Sequence, residues 1–230
     1  MLIVALDVFT LAEMKTIVES TKAEVNTYKI GLQLLASEGP EAIRYLKSLG
    51  KTVFLDLKLH EIPNSVSSAV KSAGKHGVDM ITVHASGGER MMASAVEAAS
   101  GFPNMKVIAV TVVTGLNDQD LLDIGFSRSS QDQAIRLAQL AERTGCHGVI
   151  ASAHETKKLR SLLPKHTLII TPGIRPEGSN TGDQKRVGTP TDAIRNGASY
   201  IIVGRPIVEA DNPGLSAREI NKQIKMAVDT

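Results

Sequence analysis

The sequence predicts an α/β fold, a single (β/α)8 TIM barrel occupying residues 1–230, on three observations. Eight short β-rich apolar runs alternate with segments of helical pattern. The runs are apolar at consecutive rather than alternate positions, as strands of a parallel sheet covered on both faces require. A charged, imidazole or hydroxyl side chain that a packed core does not want stands at or just beyond the C-terminal end of each run. A closed barrel gathers those ends at one mouth, where active sites are built, whereas an open sheet would scatter them.

The elements follow in order. Leu2 to Leu6 is the first run and ends at Asp7; Thr10 with Glu13 then forms a capping box that starts a helix. Thr27 to Ile30 carries Lys29, and Pro40 opens a helix that stops at Gly50. Thr52 to Leu57 leads to Asp56 and Lys58, and Pro63 opens the next helix, which stops near Gly77. Met80 to Val83 precedes His84, and Val107 to Val113 precedes Thr114. Ser129 or Ser130 introduces Ala134, Ile135, Leu137, Ala138 and Ala141 at helical spacing. Gly148 to Ala151 runs into Ser152 and His154, and Leu168 to Thr171 leads to Arg175. Thr189-Pro190 opens a short helix closed by Gly197, Tyr200 to Val203 runs into Gly204 and Arg205, and Pro213 opens the last helix. Two polar connections, 115–130 and 174–188, exceed the usual loop length and read as lids or disordered segments.

Composition excludes several classes. At 230 residues the chain can bury a large core. Net charge is +2 with Lys and Arg scattered, which argues against a nucleic-acid surface and leaves small anions open. The single Cys146 has no disulfide or metal-spaced partner and reads as a small buried hydrophobe in a reducing compartment. No apolar run reaches membrane length and the N-terminus lacks a basic region, so a cytoplasmic protein is expected.

Asp56 and Lys58 carry the strongest chemical signal. On an extended strand, residues two apart point the same way, roughly 6–7 Å from each other. Following Val53-Phe54-Leu55, an acid and an ammonium on one face are costly unless paired, so they mark a site. Glu61 adds an acid where strand gives way to turn. The connection after the seventh run and Gly204-Arg205 after the eighth stand where barrels commonly bind phosphate. There Gly204 admits close backbone approach, and Arg205 offers a forked donor set. A phosphorylated small molecule is the expected ligand.

The segment Asp56-Leu57-Lys58-Leu59-His60-Glu61-Ile62-Pro63-Asn64-Ser65 resembles the signature of the orotidine 5′-phosphate decarboxylase family, an Asp-x-Lys-x-x-Asp pattern followed by Ile-Pro. Asp7, Tyr28-Lys29-Ile30-Gly31, Val83-His84-Ala85-Ser86-Gly87-Gly88, Thr111 to Thr114, Thr171 to Pro176, Gly182-Asp183-Gln184 and Val203 to Pro206 are similar to that family in the same order. The resemblance implies decarboxylation of orotidine 5′-monophosphate to uridine 5′-monophosphate, the last step of de novo pyrimidine synthesis, with no cofactor and no metal. It implies that Lys58 donates a proton to C6 beside Asp56, that Lys29 and Asp7 contact the ribose region, and that Thr114 reads the pyrimidine edge. Arg175, Gln184, Gly204 and Arg205 fall on the phosphate side. Glu61 and Ser65 would reach into a partner's site, which implies a homodimer with shared sites. Glu61 departs from the family's Asp: charge is retained on a side chain one methylene longer. Three alternatives are a Mg²⁺-dependent keto-sugar-phosphate decarboxylase of the same superfamily, a Schiff-base aldolase, and a nucleotide-phosphate-binding barrel with impaired catalysis.

Overall fold

The computed structural model describes residues 1–176 and 188–228. Eight strands lie among these residues: β1 (Leu2–Ala5), β2 (Thr27–Gly31), β3 (Thr52–Leu59), β4 (Met80–His84), β5 (Lys106–Val110), β6 (Gly148–Ile150), β7 (Leu168–Thr171) and β8 (Tyr200–Val203). Each pairs in parallel with its chain neighbour, and β8 closes on β1 through Leu2 opposite Ile201 and Val4 opposite Val203. The helices are α1 (Leu11–Thr21), α2 (Leu32–Glu38), α3 (Glu41–Ser48), α4 (Pro63–Lys75), α5 (Glu89–Ala99), α6 (Asp118–Asp123), α7 (Ser130–Arg143), α8 (Ala153–Leu162), α9 (Pro190–Arg195), α10 (Arg205–Val208) and α11 (Pro213–Val228). The expected (β/α)8 barrel is therefore the observed fold.

Consecutive apolar residues on a strand feed two separate cores, which explains why the runs do not alternate. Ile3, Ala5, Phe54, Met80, Ile108, Val110, Ile150, Ile170 and Ile202 fill the barrel interior. Leu2, Val4, Tyr28, Ile30, Val53, Leu55 and their like pack outward against the helices. Because side chains alternate along a strand, the inward series Ile3, Ala5 continues to Asp7, and Phe54 continues to Asp56. The same periodicity that packs the core thus delivers charge to the mouth.

Local chemistry sets the helix starts. At α1 the Thr10 hydroxyl accepts the Glu13 amide (3.2 Å) while the Glu13 carboxylate accepts that of Thr10 (3.0 Å), the reciprocal box read from the sequence. Ser129 caps α7 and Thr189 caps α9, each accepting an amide three residues on at 3.1 Å. Among the described residues, no helix is long and apolar enough to cross a membrane. Cys146 is buried, and desolvation pushes its thiol up to about 12, so it stays protonated and packs as a hydrophobe.

Several boundaries differ from expectation for identifiable reasons. β5 ends at Val110 rather than Val113, and its neighbour β6 ends at Ile150; just beyond, the Thr111 amide (3.3 Å) and hydroxyl (2.8 Å) both donate to the Ile150 carbonyl. The 115–130 connection is not a bare loop, since Asn117 and Asp120 cap one another and start α6. The ends of the 174–188 connection are joined by a bridge between Ile174 and Gly188 and by the Arg175 amide donating to the Gly188 carbonyl at 2.9 Å. Residues 177–187, with Gln184 among them, lie outside the described residues.

Gly148 shows how tightly the barrel wall is built. A Cβ there would sit 2.6 Å from both the Cβ and the carbonyl oxygen of Leu168 on β7. Gly148→Ala should lower stability by about 1–3 kcal/mol, since backbone cannot yield as a flexible side chain can. The urea unfolding midpoint measures this, and an unchanged midpoint would contradict the close apposition.

Candidate active site

A cavity of about 270 Å³ opens at the C-terminal ends of the strands. Asp7, Lys29, Asp56, Lys58, Thr114, Arg175, Gly204 and Arg205 all line it, although they come from six different strand ends and loops. Charges of opposite sign alternate across its floor. Lys29 Nζ lies 2.9 Å from Asp7 Oδ1 and 3.8 Å from Asp56 Oδ2, and Lys58 Nζ lies 2.9 Å from Asp56 Oδ2. The two inner members are the more enclosed, with side-chain exposure of 8% for Lys29 and 12% for Asp56, against 56% for Asp7 and 35% for Lys58. Each inner charge therefore has opposite charges on both sides, the condition under which burial is tolerated.

Lys58 reaches this position by a route that a regular strand would not provide. β3 and β4 are in register at Leu55 with Ile81 and again at Leu59 with Val83, so three residues of β3 face the single Thr82. Lys58 adopts a φ of 50°, the left-handed region, which costs a non-glycine residue about 1–2 kcal/mol. Asp56 and Lys58 accordingly do not meet by sharing one face of a regular strand, as expected, but because the strand bulges and the ammonium turns back onto the carboxylate. Thr82, which is fully buried, donates its hydroxyl proton to Asp56 Oδ1 (2.9 Å) and accepts the Lys58 amide (2.7 Å). Its only sequence signal is a hydroxyl inside Met80-Ile81-Thr82-Val83. Gly31, which the sequence marks only as the end of the Tyr28-Lys29-Ile30-Gly31 segment, also shapes the site. A Cβ there would come within 3.2 Å of Lys29 Nζ and 3.3 Å of Asp7 Oδ1, crowding the pair.

On the opposite side of the mouth the cations stand differently. Arg175 is buried, and one guanidinium nitrogen donates to the Ile174 carbonyl at 2.9 Å, while Arg205 opens α10 on the surface. Gly204 precedes it, with room at its Cβ position for only ordinary contact with Ala5 and Asp7 at 3.5 Å. Glu61 and Ser65 do not line the cavity of their own chain; both are exposed, before and within the first turn of α4.

Three polar residues expected at the mouth do not line this cavity. Ser152 is buried as the cap of α8, its amide donating to Glu155 at 2.9 Å, and His154 is exposed on that helix. His84 stacks on His60 with ring centroids 5.5 Å apart and lines a second, mainly apolar cavity with Leu121 and Phe126, which shares Val112 and Val113 with the first. Its Nδ1 accepts the Ser86 amide at 3.3 Å.

Burial, with smaller contributions from His60 and Lys58, lowers the His84 pKa from 6.5 to about 4. The unfolded chain thus takes up a proton on this imidazole at a pH where the folded protein does not. Stability should fall as pH drops from about 6.5 to about 4, with no further loss from this group below that. His84→Gln should flatten that part of a melting-temperature profile; an unaltered acid limb would show that another group governs it.

Comparison with known proteins bears on this geometry. The family model for "Orotidine 5'-phosphate decarboxylase / HUMPS family" matches residues 1–220. Orotidine 5′-phosphate decarboxylase of Aliivibrio fischeri (strain MJ11) is 44% identical over 221 residues, covering 95% of this chain and 94% of that protein. Its counterpart from Vibrio cholerae serotype O1 is 43% identical over 224 residues, covering 96% and 97%. The crystal structure of orotidine 5′-phosphate decarboxylase from Lactobacillus acidophilus matches with a TM-score of 0.86 at 34% identity, covering 97% of this chain and 98% of that one. On this agreement in sequence and fold along nearly its whole length, the chain belongs to the orotidine 5′-phosphate decarboxylase / HUMPS family.

Proposed function

We propose that this chain is a carboxy-lyase that converts orotidine 5′-monophosphate into uridine 5′-monophosphate and carbon dioxide, completing de novo pyrimidine synthesis. One observation carries the reading: the Lys58 ammonium closes an alternating line of acids and ammoniums and is itself open to the cavity. When the bond from C6 to the carboxylate breaks, its electron pair remains on C6, where the ring offers little resonance stabilisation. The site must then favour a charge that exists only in the transition state. A fixed ammonium does this and supplies the proton that completes the product. Preorganised electrostatics is the main catalytic effect in this scheme, which requires neither metal nor organic cofactor.

The remaining assignments are those that the family resemblance implies: Lys29 and Asp7 serve the ribose region, Thr114 the pyrimidine edge, and Arg175, Gln184, Gly204 and Arg205 the phosphate; all of these but Gln184, which lies outside the described residues, line one cavity. Gripping the phosphate uses binding energy remote from C6 to organise the reacting end. The exposed positions of Glu61 and Ser65, away from their own cavity, support their delivery into a partner's site in a homodimer. The substrate is a small nucleotide, and the setting is cytoplasmic, with neither nucleic acid nor membrane as partner.

Release of carbon dioxide from orotidine 5′-monophosphate by the purified protein tests the reading directly. Lys58→Ala should abolish turnover while leaving uridine 5′-monophosphate binding largely intact; near-normal turnover would remove Lys58 as the proton donor. Arg205→Ala should raise KM about tenfold or more, and unchanged kinetics would contradict its phosphate role. Mixing Lys58→Ala with Glu61→Ala subunits should restore activity in verified heterodimers, whereas no recovery would point to self-contained sites.

A further inference from the structure

We infer that Thr82 is a positioning residue for the decarboxylation, tying both ends of the β3 bulge so that the Asp56 carboxylate and the Lys58 ammonium are held in one arrangement. The inference rests on the function proposed above. Thr82 does not line the cavity and cannot touch the substrate, so it acts through the two residues that do. Its place opposite the bulge is singular: Leu55 and Leu59 are paired with Ile81 and Val83, and Thr82 alone spans the three residues between.

A hydroxyl has one proton and two lone pairs, and both functions are used here. The proton goes to Asp56 Oδ1, which leaves Oδ2 for Lys58 at 2.9 Å and Lys29 at 3.8 Å. With donors on both oxygens, the plane of the carboxylate is fixed. A lone pair accepts the Lys58 amide at 2.7 Å, holding main chain whose φ of 50° a non-glycine residue would otherwise leave. One side chain thereby sets the acid's rotation and the lysine's backbone together. The hydroxyl has no substitute nearby in the apolar run Ile81 to Val83, and Thr82 is fully buried, so water does not readily replace it.

Removing the hydroxyl while keeping the shape should displace the ammonium from C6 without disturbing the phosphate side of the mouth. Thr82→Val is expected to lower kcat about a hundredfold, the effect of a misplacement near 1 Å, with KM within about threefold. Thr82→Ser, which keeps the hydroxyl, should restore kcat to within about fivefold of wild type, a rescue that a purely packing role would not give. A folded Thr82→Val with wild-type kcat, a loss confined to KM, or a Thr82→Ser as impaired as Thr82→Val would each overturn the inference. Should Thr82→Val fail to fold, Thr82→Cys is read against the same serine control. Hydrogen exchange at the Lys58 amide gives a readout independent of turnover: it should quicken about tenfold in the valine variant and stay near wild type in the serine variant. Unchanged exchange overturns the inference. Quickened exchange in a protein whose wild type releases no carbon dioxide supports the anchoring and overturns the functional reading alone.

Discussion

Asp56 is the charge on which the mouth of the barrel depends. It follows Phe54 on the inward face of β3, where core gives way to cavity, and a lone carboxylate there would be costly. Lys58, Lys29 and Thr82 each point a donor at it, and in doing so they fix one another. Lys29 is in turn balanced by Asp7, so four charged side chains from three strand ends share one electrostatic solution. Such a site has its own charges in place before any ligand arrives.

Much of the architecture was legible because two periodicities coincide in it. Unbroken apolar runs reported strands buried on both faces, and Thr10 with Glu13, Ser129 and Thr189-Pro190 reported helix starts whose bonds are those seen. Asp7 and Asp56, the polar residues expected at the ends of the first and third runs, do line the mouth, and counting two residues along the strand then led from Asp56 to Lys58. The same counting failed at Lys58, since a bulge is a relation between neighbouring strands and leaves no mark on either strand alone. Thr82 was missed for a related reason: a threonine in an apolar run looks like ordinary β-branched packing until the partner of its hydroxyl is known. Gly31 escaped notice because its role is the space that it leaves for Lys29 and Asp7. His84, Ser152 and His154 were drawn to the mouth by the rule that polar strand ends converge there. Helix capping at Ser152 and ring stacking at His84 hold them apart from it.

The candidate residues divide between those that the barrel wall fixes and those carried on connections. The acid and ammonium line sits on β2, β3 and the end of β1, backed by interior packing. Arg205 stands instead on a short surface helix, and Glu61 on the turn before α4. A fixed acid and ammonium line beside residues carried on connections is the division that a rigid scaffold with variable loops favours.

The pairing of β1 with β8 places Asp7, from the start of the chain, beside Gly204, from near its end, with a Cβ at Gly204 only 3.5 Å from Asp7 Oδ2. This seam lies within the cavity itself. During synthesis β1 must therefore wait until β8 has been made before it gains its second neighbour, and until then the cavity lacks one side of its wall.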